Sequence, residues 1–166
     1  MAALSEKPTA EPTWLHGHAH DPNPLPPSPD SAFIVSKPDG AEIQVTLLDL
    51  QELPVTQVSE CWIVSTGHGR SGPFTFAGAR LLDLINQVLS STRVTWHHVD
   101  VISADHFGTR LLSEELQAAT TRPTLLSYGV DQVPMTRAQG LVRLIVPSET
   151  DDALRQVKWV ARIEIS

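Results

Sequence analysis

The 166-residue sequence contains one cysteine, one tyrosine and few aromatic residues, and basic residues are scarcer than acidic ones. With Cys61 as the only cysteine, no disulfide can form within the chain, which fits a reducing compartment. Twelve lysines and arginines against 19 aspartates and glutamates give a net charge of -7. This balance argues against nucleic acid or an anionic membrane as a partner. The sequence also lacks an apolar run of transmembrane length.

The N-terminal residues 1–31 show almost no periodicity and hold seven of the 13 prolines. We therefore expect a flexible, proline-rich tail, followed by one domain over residues 32–166. In the tail, His16, His18 and His20 alternate, so an extended segment could present them together to a divalent metal. The alternative is a solvated tail that meets metal only by chance. No basic end followed by an apolar stretch marks a secretory signal, so we expect a cytoplasmic location.

From residue 32 onward the hydrophobic pattern predicts many short strands and a few helices. Alternating apolar and polar residues, or short apolar runs between turn signals, predict strands. These are residues 33–36, 41–47, 58–65, 94–102, 125–128, 133–135, 141–146 and 157–165. Helices are predicted over residues 48–53, 78–90 and 114–119. Many strands with two or three helices between them indicate the α+β class.

A glycine-rich segment, Ser65-Thr66-Gly67-His68-Gly69-Arg70-Ser71-Gly72-Pro73-Phe74, separates an apolar run from the predicted helix 78–90. Its glycines let backbone N–H groups approach a ligand, and Arg70 offers a planar set of donors that suits an oxyanion. A strand, a glycine loop and a helix in this order predict an anion-binding cradle. The alternative is a solvent-exposed hairpin loop. The segment is neither a P-loop nor a dinucleotide-binding fingerprint, because the spacing of both is missing.

Five further parts of the chain, from about residue 33 to the C-terminus, carry a resemblance to a known family. They are Leu47–Pro54, Phe76–Ile85, Ser103–Leu112, Leu125–Pro134 and the pair Val142–Pro147 with Val157–Ile165. In this order they resemble the molybdopterin-binding domain of the sulfite oxidase family. The resemblance implies an α+β fold of mixed β-sheets with a few short helices. It also implies the molybdenum cofactor molybdopterin and an oxidoreductase that transfers an oxygen atom and two electrons.

The resemblance implies cofactor contacts at Thr66, Gly67, His68, Gly69, Arg70, Asp105, His106, Arg143 and Lys158. Four of these have simpler alternatives: an exposed loop position for His68 and for Arg70, an Asx turn for Asp105 and a strand-face salt bridge for Lys158. The family binds its metal through a cysteine before the glycine loop, so Cys61 is the candidate ligand. Aligning the glycine loop places Thr66 in that slot instead. A thiolate suits this metal, whereas threonine is a poor substitute, and Cys61 would then be a buried, inert thiol.

Other departures from the family pattern surround the expected cofactor. Ala138 stands where the family has a histidine, and the acidic residues 149–152 replace a glycine-containing loop. Two functions therefore stay open. The first is a small molybdopterin-dependent oxidoreductase, and the second is a degenerate, noncatalytic domain that binds another small anion or a protein partner. In either case we expect residues 66–72, 105–107, Arg143 and Lys158 to converge on one concave site.

Deletion of residues 1–30 should leave the domain folded, because the tail offers little apolar surface and its prolines disfavour regular pairing. The melting temperature of the shortened chain should stay within about 3 °C of the full chain, as for a stability change below about 1 kcal/mol. Differential scanning calorimetry of the two chains measures the difference. A larger loss would show that the tail packs on the domain.

Overall fold

The computed structural model describes residues 31–65, 69–90, 93–147 and 156–166. Within these ranges the chain forms ten β-strands and three helices. The strands are β1 Phe33–Ser36, β2 Glu42–Val45, β3 Val55–Ser65, β4 Gly69–Arg80, β5 His98–Ser103, β6 Gly108–Leu112, β7 Leu125–Val130, β8 Val133–Pro134, β9 Arg143–Ile145 and β10 Val160–Ile165. The helices are α1 Leu47–Glu52, α2 Leu81–Val88 and α3 Ser113–Gln117. None of the described helices has the length and hydropathy needed to cross a membrane.

The first sheet has the strand order β2-β1-β10-β5-β6. The strands β1 and β10 pair in parallel, and the other neighbours pair in antiparallel. Between β5 and β6, Asp100 lies opposite Arg110, whose guanidinium donates two hydrogen bonds of 2.7 and 2.9 Å to the Asp100 carboxylate. Because Asp100 is buried, shifting this register would leave a carboxylate without its partner in the sheet.

The second sheet has the order β3-β4-β7-β8, and β9 also pairs with β7. The strands β4 and β7 approach each other very closely at Gly78. A Cβ atom at this position would lie 2.1 Å from the Leu126 carbonyl oxygen and 2.7 Å from the Ser127 Cα. Real Cβ atoms essentially never lie under 3.0 Å from such atoms, so the two strands need glycine here to pair.

Buried side chains form two clusters, one on each face of the second sheet. Leu126 and Leu144 belong to the main core, together with α2 and the inner side of the first sheet. Their chain neighbours Leu125 and Ile145 belong to a second cluster. Since successive strand residues point to opposite faces, the second cluster lies on the outer face of the second sheet. This cluster consists of Val58, Cys61, Phe76, Leu125, Val130, Met135 and Ile145, with Ile63 and Phe74 packed against it.

The α+β class predicted from the sequence is confirmed, but the local prediction around the glycine-rich segment is wrong. The predicted order of strand, glycine loop and helix is instead a β-hairpin, because β4 runs over Gly69–Arg80 and pairs with β3. Helix α2 begins only at Leu81, so residues 78–80 of the predicted helix belong to a strand. The pairing of β4 with both β3 and β7 outweighs the helical spacing of the apolar residues in this segment. The hairpin was the alternative that the sequence left open.

Gly78→Ala should destabilise the domain by about 1–3 kcal/mol or more, because the added methyl group forces β4 away from β7. Gly129→Ala is the matched control on the partner strand, since the nearest atom to its added Cβ lies 3.6 Å away. This control should change the free energy of unfolding by less than about 1 kcal/mol. Urea unfolding followed by circular dichroism measures both. Equal effects would contradict the steric contact at Gly78.

Candidate functional site

Arg143 lies on the outer face of the second sheet, because it shares the strand β9 and the same side with Ile145. Its side chain is buried, with only 9% of its surface exposed. The guanidinium carbon lies 5.9 Å from the centre of the Phe76 ring, within the range of a cation–π contact. A cation is thus packed among apolar side chains, where charge is stabilised poorly.

The polar contacts of Arg143 leave part of its guanidinium unsatisfied. Nη2 donates a hydrogen bond of 3.2 Å to Oε1 of Gln156, which is a neutral acceptor. Nε is buried and has no hydrogen-bond partner among the described residues. Burial lowers the pKa of Arg143 to about 10, so the group still carries its charge at neutral pH. A buried cation with a free donor is suited to an anion, which would supply both an acceptor and the opposite charge.

Lys158 is brought next to Arg143 by the chain that leads into β10. Leu144 and Val157 exchange two backbone hydrogen bonds in an antiparallel bridge, and the residues on either side of the bridge are Arg143 and Lys158. Partial burial and, next, the charge of Arg143 lower the pKa of Lys158. No ion pair of Lys158 occurs within the described ranges, which leaves its predicted strand-face salt bridge unsupported there. Two neighbouring cations therefore form a positive centre in a chain of net charge -7.

The loop before β9 shapes the surroundings of Lys158. Gly140 has a φ of +120°, and a Cβ there would lie 3.2 Å from Cβ and Cγ of Lys158. The Lys158 ammonium lies 6.0 Å from the centre of the Trp159 ring. That ring is held by a hydrogen bond of 2.7 Å from its Nε1 to the Arg137 carbonyl oxygen. The aliphatic part of the Lys158 side chain thus lies next to Gly140, in the segment that carries the buried Trp159.

A cavity of about 70 Å³ lies beside Arg143 on the same outer face. Its walls are mostly apolar and come from β3, β4, β7 and the loop before β9. They consist of Ile63, Phe74, Phe76, Val130 and Met135, with the polar residues Gln139 and Arg143. The cavity therefore combines one charged group with a largely hydrophobic lining.

The glycine-rich segment contributes differently from the prediction. Arg70 is exposed, and its guanidinium carbon lies 3.7 Å from the centre of the Trp62 ring. Gly69 is exposed and has a φ of +80°. Arg70 is not among the described residues that line the cavity. The hairpin reaches the cavity through Ile63 and Phe74 instead, whereas Thr66, Gly67 and His68 lie outside the described residues.

Asp105 and His106 form the tight turn between β5 and β6. The Asp105 carboxylate accepts a hydrogen bond of 3.2 Å from the Phe107 N–H, which is the Asx turn considered above. His106 is exposed and has a φ of +71°. The Ala104 N–H donates 3.0 Å to the Trp159 carbonyl oxygen, which ties this turn to the segment that holds Lys158. A backbone hydrogen bond therefore links the turn between β5 and β6 to Trp159, the neighbour of Lys158 in the chain.

Cys61 lies in the second cluster, where its side chain is 3% exposed. Its Sγ lies 3.5 Å from the Val58 carbonyl oxygen and 3.7 Å from that of Ser59. Nη2 of Arg122 lies 3.7 Å from the same sulfur. Burial raises the pKa of the Cys61 thiol, and the Arg122 charge opposes this effect without reversing it. The group is thus a protonated thiol at neutral pH, and the expectation that it is buried is confirmed.

Several contributors to this region were not predicted from the sequence. Arg122 contacts Cys61 across 61 residues, and Gln156 is the described hydrogen-bond acceptor of Arg143. Neither residue belongs to a motif, so no local signal pointed to them. The acidic residues 149–152 and the tail histidines lie outside the described residues. In the described ranges, no group of three His, Cys, Asp or Glu side chains is placed to hold a metal ion.

Comparison with known proteins agrees with this architecture. The family described as oxidoreductase molybdopterin binding domain matches residues 30–166. The structure of the sulfane dehydrogenase SoxCD from Paracoccus pantotrophus superimposes with a TM-score of 0.62 at 14% sequence identity. This likeness confirms the expected fold. It covers 81% of the present chain but only 37% of that chain, so the present chain spans well under half of it. No curated protein matches the sequence significantly.

Cys61 should react slowly with a thiol reagent in the native protein, because its sulfur is buried and protonated. Iodoacetamide labelling followed by mass spectrometry should be at least about tenfold faster in urea than in native buffer, since only unfolded or opened chains expose the thiol. Equally fast labelling in both conditions would show an accessible, reactive thiol and would contradict the burial described here.

Proposed function

Because the chain belongs to the oxidoreductase molybdopterin-binding domain family, we propose that it binds an anionic ligand at Arg143 and Lys158. In this proposal the domain is a noncatalytic, degenerate member that keeps the anion-binding end of the family site. The observation that carries the proposal is the buried Arg143 guanidinium, whose Nε has no partner in the described part of the chain. A bound anion would satisfy this donor and reduce the repulsion between the two cations.

The side chains of Arg143, Lys158 and Cys61 fit only part of the cofactor that the family implies. A phosphate group fits Arg143 and Lys158, since both offer N–H donors and positive charge. A thiolate-bound molybdenum does not fit Cys61 as it stands. The thiol is protonated, its sulfur contacts two backbone carbonyl oxygens, and it is not among the residues that line the cavity.

A molybdopterin-dependent oxidoreductase is the second candidate. It is supported by the family and by the proximity of Arg143 and Lys158, two residues that the resemblance assigns to the cofactor. Protein produced in a molybdenum-replete host distinguishes the candidates by its molybdenum and pterin content. Stoichiometric molybdenum that disappears in Cys61→Ser, with the fold unchanged, would overturn the noncatalytic proposal. Phosphate binding without bound molybdenum supports it.

Lys158→Met should weaken the binding of inorganic phosphate about tenfold, or by about 1.5 kcal/mol. This is the low end for a charge-assisted hydrogen bond, as suits an exposed ammonium. Lys37→Met, in the turn between β1 and β2, is the matched control and should leave the affinity unchanged. Isothermal titration calorimetry measures both. Equal affinities for the two variants would remove Lys158 from the site.

A further inference from the structure

We propose that the ligand of the cavity beside Arg143 is a small monocarboxylate with a short apolar chain. This inference rests on the proposed anion site and adds the chemical class and size of its occupant. In this arrangement the carboxylate is bound by the Arg143 guanidinium, and the apolar chain packs among the side chains that line the cavity.

The charged end of the cavity suits a carboxylate. Arg143 presents a planar guanidinium with an unsatisfied Nε and an Nη2 whose partner among the described residues is the neutral Gln156. A carboxylate places two oxygen atoms in one plane, which matches two neighbouring N–H donors of a guanidinium. Its single negative charge neutralises the single buried charge of Arg143. Lys158 is not among the described residues that line the cavity, so a more highly charged oxyanion inside it would face only one positive charge.

The remaining walls suit an alkyl chain. Five of the seven described lining residues are apolar, and three of them, Phe76, Val130 and Met135, are themselves buried. Among the described lining residues, the other polar one is Gln139, which carries no charge. An apolar ligand body that enters this lining loses its contact with water, which is the main driving force for binding in such pockets. An inorganic anion would instead leave this surface without a partner.

The size of the cavity limits the length of the chain. An apolar cavity of roughly 150 Å³ holds benzene, with six carbon atoms, so about 70 Å³ has room for about three carbon atoms. The alkyl chains of propionate and butyrate, with two and three carbon atoms, fall within this range. The ring system and phosphate of a pterin cofactor exceed it, so such a cofactor could not enter this cavity without rearrangement of its walls.

A series of carboxylates tests the proposal. Acetate, propionate, butyrate, valerate and octanoate are titrated into the full chain, with inorganic phosphate and the neutral butyramide for comparison. Shifts of the Met135 and Val130 methyl signals in NMR spectra report binding in the cavity. Affinity should rise about fourfold for each methylene from acetate to butyrate, as for burial of one methylene. It should fall again at octanoate, and butyramide should bind at least about tenfold more weakly than butyrate.

Two variants locate the binding. Arg143→Gln should abolish binding of butyrate, whereas Arg93→Gln, an exposed arginine away from the cavity, should leave it unchanged. Because loss of a buried arginine can disturb folding, Ile63→Phe provides a second test, since it narrows the cavity and leaves Arg143 in place. In this variant the chain length that binds most tightly should shift toward acetate, and the affinity for acetate itself should not fall.

The outcomes separate this inference from the proposed function. Binding of phosphate together with no binding of carboxylates, or with no dependence on chain length, would overturn the carboxylate assignment and leave the anion site standing. If folded Ile63→Phe prefers the same carboxylate chain length as the unsubstituted protein, the carboxylate assignment is likewise overturned. If neither phosphate nor any carboxylate binds, both the anion site and its ligand class fail.

Discussion

The contact between β4 and β7 at Gly78 is the constraint on which the rest of the domain depends. It brings two backbones closer than any side chain would allow, and β7 in turn pairs with β9. The register of this pairing decides which face each residue occupies. It directs Leu144 into the main core and Arg143 to the outer face. A steric relation between two strands thus determines where the positive centre lies, although Gly78 touches no part of it.

The buried arginine links binding to stability. A cation among apolar side chains that lacks a carboxylate partner within the described ranges raises the free energy of the folded state. An anion that binds only the folded chain would offset this penalty, so the domain should be most stable when its ligand is present. The site therefore contains a buried charge that destabilises the folded state, and ligand binding reduces this penalty. Such destabilising features are expected at functional positions more often than elsewhere.

The sequence predicted strands well where alternation was clear and turn residues were present. The strands predicted over residues 33–36 and 41–47 correspond to β1 and β2, which pair in antiparallel across the turn that contains Asp39 and Gly40. The beginning of α2 could not be predicted from the sequence, because residues 76–80 fit both the helical and the strand periodicity. Their pairing with β7 makes them part of a strand. The proximity of Arg143 and Lys158 depends on a bridge between Leu144 and Val157, two residues that are close only in the folded chain. The family resemblance named both cations, but the cavity beside them required the packed outer face of the second sheet.

Arg122 has a consequence for how copies of this chain meet one another. Among the described strands, β3 lies at the edge of its sheet, and an edge strand of 11 residues can recruit a strand from another molecule. The guanidinium of Arg122 donates to the carbonyl oxygens of Ser59 and Glu60, with distances of 2.8 and 3.3 Å. At the same place Glu60 has a φ of +54°, and the pairing register shifts. Two acceptors of the edge are thus occupied where the strand bends, which protects the protein against aggregation through this edge.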